Sequence, residues 1–238
     1  MRARFTRAER RTLWDVNRSD DARGSHAPIC DAGSVAKVTW SQYRESIGDR
    51  SSLFAELTTK WPIDRALYPG SYVDLSPSTA IRSVTYVDTD SRAARFFSDQ
   101  DLVSGELAGR IRPGAGDEVR FLAGDYLEPV DVADASMDLL ISLYAGPMWE
   151  YNRRYLRQGG WLLANASHGD ASLAALDPSV RLVGVVHHRR DRYRLVNDRL
   201  EDYLIPKRPE AADADLIRSA GRGIAYTRPA FAYVFQME

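Results

Sequence analysis

From Asp64 to the C-terminus, short apolar β-branched runs alternate with segments of helical period. That alternation restricts the chain to a mostly parallel sheet with helices between its strands. RALYPGSYVDL holds a first strand that runs into a Gly/Ser turn. SPSTAI suits a short helix, with Ser76 as N-cap and Pro77 at the first helical position. SVTYVDTD is a second strand ending in acids. SRAARFFSDQDLVSGEL is helical, with Ala93, Ala94, Phe97 and Leu102 on one face. EVRFLAGDY supplies a third strand. SMDLLISLYAG supplies a fourth, nearly all apolar as a central parallel strand should be. MWEYNRRYL reads as a helix closed by Gly159-Gly160, GWLLANAS as a fifth strand and VRLVGVVHH as a sixth. RYRLV and RLEDYLI, joined by Asn197-Asp198, read as an inserted hairpin. AADADLIRSAG is a helix and PAFAYVFQM a final strand. The expected fold is a Rossmann-like, mostly parallel, seven-stranded sheet with helices on both faces.

Before residue 60 the pattern is different. Segment 6–16 suits a short helix and 17–33 a loop. Segment 38–60 suits two helical pieces, VTWSQYRESI and SSLFAELTTKW, broken near Gly48 and stopped by Pro62. Trp40 and Tyr43, three apart, share a helix face. The expected division is a helical cover, 1–60, and a sheet domain, 61–238.

Composition narrows the function classes. The chain has 238 residues, enough to bury a core without staples. Its net charge of −1 offers no general attraction to nucleic acid or to a membrane surface. One cysteine, Cys30, excludes an intramolecular disulfide and any multi-cysteine zinc site. Four scattered histidines make no metal cluster. The N-terminal run has charge but no apolar core, and no stretch approaches the ~20 apolar residues of a membrane span. The expected location is therefore cytoplasmic.

Candidate site residues fall at predicted strand ends, where open parallel sheets bind ligands. Tyr68, Gly70 and Ser71 follow the first strand, and a glycine there lets the backbone approach a ligand closely. Asp88 ends the second strand with Thr89 after it. Asp90, two residues on, is either a second ligand or a helix N-cap. Asp125 and Tyr126 follow the third strand. Ser142, Leu143 and Tyr144 end the fourth. Asn165 and His168 lie in the loop after the fifth, with Asp170 placed to orient His168. The alternative for this loop is a plain turn, which favours the same residue types.

In order and spacing, segment 64–170 resembles the class I S-adenosylmethionine-dependent methyltransferases. The chain is also similar to poorly characterised actinobacterial proteins carrying a YPGSYVD-type segment. The first resemblance implies S-adenosylmethionine as cofactor, held by Tyr68, Gly70, Ser71, Asp88, Thr89, Asp125, Tyr126, Ser142 and Leu143. In it Asp88 would take the ribose hydroxyls and Asp125 the adenine amino group. Tyr144, Asn165 and His168 would be catalytic, His168 as general base, and Tyr144 and Tyr72 would be pocket walls. No metal is implied. The glycine turn departs from the family pattern, with Tyr72 and Val73 where small residues are usual. The expected function is methyl transfer to a small molecule. The alternatives are a cyclase or aminocarboxypropyl transferase like the azetidine-2-carboxylate-forming enzymes, releasing methylthioadenosine, and a non-catalytic cofactor-binding protein.

Overall fold

The computed structural model describes residues 37–190 and 192–238. Expectations for 6–16 and 17–33 lie outside them. Eight strands form one sheet: β1 (Arg65–Pro69), β2 (Ser83–Asp88), β3 (Glu118–Ala123), β4 (Met137–Ser142), β5 (Leu156–Ala164), β6 (Val180–Arg189), β7 (Arg192–Val196) and β8 (Ala232–Met237). Their order is β3-β2-β1-β4-β5-β8-β6-β7. β1 to β5 pair in parallel, β8 runs antiparallel between β5 and β6, and β7 folds back antiparallel on β6. This is the expected Rossmann-like α/β sheet with one strand more.

The extra strand comes from RYRLV. It pairs with β6 through a tight turn in which Arg190 has φ 47°, rather than with RLEDYLI, which forms a 3₁₀ turn at Leu200–Asp202. Pairing with an already buried strand covers Tyr193, which a free hairpin would leave exposed.

Among the described residues seven helices flank the sheet: α1 (Trp40–Ile47), α2 (Ser51–Lys60), α3 (Ser91–Ser98), α4 (Gln100–Leu107), α5 (Trp149–Asn152), α6 (Asp170–Leu176) and α7 (Ala214–Ala220). Strand alternation sorts the core into two layers. Ala66, Tyr68, Val84, Tyr86, Leu139, Ile141, Trp161, Leu163 and Val234 face Trp40, Leu53, Phe54 and Leu57 of α1 and α2. Phe96, Phe97, Val103 and Leu107 of α3 and α4 complete that layer. Leu67, Val87, Leu140, Leu162, Ala164, Tyr233 and Phe235 face Trp149, Ala171, Leu173, Ala174 and Ile217 of α5, α6 and α7. Residues 37–60 thus share the core of the sheet.

Local details correct several expectations. SPSTAI forms only a 3₁₀ turn at Ser76–Thr79, flanked by Leu75 and not capped by Ser76. The thirteen-residue crossover 70–82 holds this turn in place of an α-helix. The long helix after β2 splits at Asp99, whose carboxylate accepts the Leu102 N–H and caps α4. MWEYNRRYL gives one helical turn and a 3₁₀ turn, and Gly159-Gly160 belong to β5. The partner of Met137 is Leu156 and that of Leu139 is Trp161, so the glycines sit in an irregularity of the β4–β5 pairing. ASLAAL, unassigned in the sequence, is most of α6.

Candidate functional site

The strand order reverses beside β1, whose neighbours are β2 on one side and β4 on the other. Loops leaving β1 and β4 must therefore diverge, and a crevice is expected at their carboxyl ends. The backbone there is bent hard. Gly70 has φ 63°, Tyr72 φ 47° and Tyr144 φ 58°, and Gly169 before α6 has φ 98°. Bulky residues in the left-handed region cost energy and persist only where their surroundings hold them, most often at functional sites.

Gly70 donates its N–H to the Val87 carbonyl at 2.8 Å, which ties the β1 turn to the end of β2. A Cβ there would lie 2.4 Å from that of Ala145 and 2.9 Å from Cε of Met148, with the Tyr126 ring at 3.4 Å. The close approach that requires glycine is thus made by protein side chains from the β3 and β4 loops. Ser71 is buried and its hydroxyl donates to the Tyr72 carbonyl.

Asp88 ends β2 as expected, 7% exposed. One carboxylate oxygen accepts the Tyr72 N–H at 2.7 Å and the other accepts the Asp90 N–H at 2.8 Å. Burial pushes this carboxyl above its ordinary range, against the opposing pull of those N–H groups. The Thr89 N–H bears on the same carboxylate, which keeps part of its acceptor capacity. Thr89 beside it is exposed. Asp90 caps α3 through the Arg92 N–H and pairs with the Arg92 guanidinium at 2.6 Å, so it is the N-cap and not a second ligand. Asp125 accepts the Leu127 N–H at 2.9 Å. The Tyr126 hydroxyl meets the backbone of Gly146, and burial pushes it up to about 12.

The hub of this edge escaped the sequence reading. Asp74, fully buried, accepts from the Ser76 N–H and hydroxyl through one oxygen. Through the other it accepts from the Tyr68 hydroxyl at 3.2 Å and Arg50 Nη1 at 3.2 Å. Arg50 Nη1 also reaches the Tyr68 hydroxyl at 3.4 Å. Tyr68 is thereby a buried partner of this pair. Burial works against the Arg50 charge, but Tyr68 and Asp74 more than offset it and keep the guanidinium protonated. Its carbon sits 5.1 Å over the Tyr144 ring. Asp74 is the acid of YPGSYVD; Arg50 lies 24 residues away, joined to it only by the fold.

At β4 and β5, Ser142 and Leu143 are buried while Tyr144 is 51% exposed. His168 hydrogen-bonds the backbone of Tyr144, so these two predicted residues do meet. Burial lowers His168 below its ordinary value, with that bond opposing. Asn165 accepts from the Ser167 N–H and hydroxyl through Oδ1, and its buried Nδ2 has no partner among the described residues. Asp170 does not orient His168. It turns inward, accepting from the Ser142 hydroxyl and from the N–H groups of Met148 at 2.7 Å and Trp149 at 3.2 Å. Ser142 is correspondingly committed to Asp170. Tyr43 reaches this edge, edge-on to Tyr72 at 5.1 Å, whereas Trp40 is buried in the core.

No family profile matches the chain, and no curated protein matches it. Several solved structures are similar in shape. A putative O-methyltransferase from Klebsiella pneumoniae is 13% identical with a TM-score of 0.43, over 62% of this chain and 77% of that one. An O-methyltransferase from Bacillus cereus, in complex with S-adenosylhomocysteine, is 14% identical with a TM-score of 0.42, over 66% and 86%. The Burkholderia thailandensis 1,6-didemethyltoxoflavin-N1-methyltransferase is 15% identical with a TM-score of 0.39, over 90% and 93%. Likenesses of this size assign no activity. Among the described residues no helix is long and apolar enough to cross a membrane, and no group of His, Cys, Asp or Glu could hold a metal ion.

Proposed function

We propose that the chain binds S-adenosylmethionine at the carboxyl edge of β1, β2 and β4 and transfers its methyl group to a small molecule in the cytoplasm. The observation that carries this reading is Asp88. A nearly buried carboxylate ends β2 at the switch point, beside a left-handed glycine turn, with acceptor capacity beyond the N–H groups of Tyr72, Thr89 and Asp90. Such a group suits two ribose hydroxyls, which need acceptors and no donor. The donor set therefore fits the cofactor at its ribose end. Tyr126 and Leu143 stand on the neighbouring loops to flank the rest, with Thr89 and Asp125 at the rim. Of the expected cover, residues 37–60 bring Tyr43 and Arg50 to this edge.

The cofactor supplies an electrophilic methyl group. The protein supplies position and, for a hydroxyl or amine acceptor, a base. Burial favours the neutral form of His168, and its bond to the Tyr144 backbone leaves the other ring nitrogen to take a proton. Tyr144 offers a ring face with affinity for cationic charge, as its contact with Arg50 illustrates.

Calorimetry should detect binding of S-adenosylmethionine or S-adenosylhomocysteine. Asp88→Ala should weaken it by about 1.5–3 kcal/mol, the range for hydrogen bonds to a charged group. Unchanged affinity would remove Asp88 from the site. Once an acceptor is found, His168→Ala should slow turnover by ~100-fold or more at unchanged cofactor affinity. A variant running at the native rate would end its role as base. Release of S-adenosylhomocysteine supports methyl transfer. Methylthioadenosine would replace it by the cyclase or aminocarboxypropyl alternative, and binding with neither product by a non-catalytic role.

A further inference from the structure

Arg50 is more than a buried pin. A guanidinium carries five N–H donors in a planar fork. Of the guanidinium nitrogens only Nη1 has protein partners among the described residues, Tyr68 and Asp74. Its pairing with Asp74 is end-on rather than two-pronged, because Asp74 also serves Tyr68 and both donors of Ser76. The side chain is nonetheless 6% exposed. The unpaired donors keep a remnant of solvent access, so the open side of the fork is within reach of a ligand. The two-pronged geometry it leaves unused is the one that matches a carboxylate.

The surroundings describe the rest of the ligand. Tyr144 lies under the guanidinium, and Tyr43 and Tyr193 are near enough to feel its charge. Phe231 packs edge-on against Tyr144 at 6.2 Å and against Tyr193 at 5.0 Å, and His188 stacks on Tyr193 at 4.3 Å. An aromatic row thus runs from the Arg50 fork along the carboxyl edge, with half-exposed Tyr144 at its near end. Aromatic rings placed this way take flat rings by stacking or edge contact.

We propose that Arg50 is the anion-recognition residue of the acceptor site, and that the acceptor is a flat aromatic acid. Its carboxylate meets the free edge of the Arg50 fork, and its ring lies among Tyr43, Tyr144 and Tyr193. The proposal rests on the methyl-transfer reading only for the word acceptor.

The test uses the full chain, labelled with nitrogen-15. Benzoate, 4-hydroxybenzoate and indole-3-carboxylate are titrated, each against its uncharged primary amide, with and without S-adenosylhomocysteine. At least one acid should bind tenfold or more tightly than its amide and shift the Arg50 Nε–H resonance. Arg50→Lys, which keeps charge but not the fork, should abolish that preference. Tyr144→Ala, at a half-exposed position, should weaken the acid at least threefold. Acids binding no better than amides, or a preference untouched by Arg50→Lys, would overturn the proposal. If Arg50→Lys does not fold, the acid-to-amide ratio and Tyr144→Ala decide. Acid preference without S-adenosylhomocysteine binding would uphold the Arg50 site and sink the methyl-transfer reading. S-adenosylhomocysteine binding without acid preference would do the reverse.

Discussion

Replacing Asp74 with alanine is expected to destabilise the protein by about 3–5 kcal/mol, the cost of leaving a buried cation without its counter-charge. Asp74 is fully buried and Arg50 only 5% exposed, so water cannot take over the lost role. The Tyr68 hydroxyl and both donors of Ser76 lose their acceptor at the same time. Urea unfolding of wild type and variant measures the loss. The double variant Asp74→Leu with Arg50→Met separates charge from packing. Buried ion pairs replaced by apolar residues of similar size are often neutral or better, so the double should recover much of the loss. A single variant within 1 kcal/mol of wild type would mean that this pair does not close the β1 turn.

How much was legible follows from how locally each feature is encoded. β2, SVTYVD, is a β-branched run ended by acids, and the structure puts its boundary at Asp88. β4, MDLLIS, is apolar between Asp138 and Ser142 because helices cover both its faces. The break at Gly48 was readable because the C-cap needs a backbone that glycine adopts freely, φ 84°. Features set by distant partners were not readable. Gly159-Gly160 look like a helix stop, yet Gly160 is required where its backbone runs against the Arg157 and Asp138 carbonyls; a Cβ would come within 2.9 Å and 3.0 Å. Gly70 reads as a close-approach glycine, but its neighbours Ala145 and Met148 lie some seventy-five residues on, where no local pattern points to them. Arg50 drew no attention because nothing near it in the chain is its partner. Sequence proximity sets Asp170 beside His168, whereas the helix it starts turns it the other way, toward Ser142, 28 residues back.

That inward turn gives Asp170 a pH signature. The side chain is 1% exposed, and burial pushes its carboxyl up to about 6, against the bonds from Ser142, Met148 and Trp149. In the unfolded chain it titrates near ~3.9. The native state therefore holds a proton that the unfolded state has already lost between roughly pH 4 and 6. Stability contributed this way is fully present below about pH 4 and is lost as pH rises through about 6. Its size is on the order of 3 kcal/mol, from roughly two units at ~1.4 kcal/mol each. Asp90 and Asp177, whose carboxyls are held low by arginine and hydroxyl partners, act in the opposite sense and lose stability as pH falls. The clean observable is thus the difference between the wild-type and Asp170→Asn stability curves. Asparagine cannot ionise, keeps one acceptor for Met148 and Ser142, and sets its amide against the Trp149 N–H. The advantage of wild type over Asp170→Asn should be largest near pH 4 and shrink by about 3 kcal/mol by pH 7. A difference that stays flat across that window would show that the carboxylate is ionised throughout. Its three donors, not burial, would then set its charge, and Ser142 would stand beside the proposed cofactor with a full negative charge behind it.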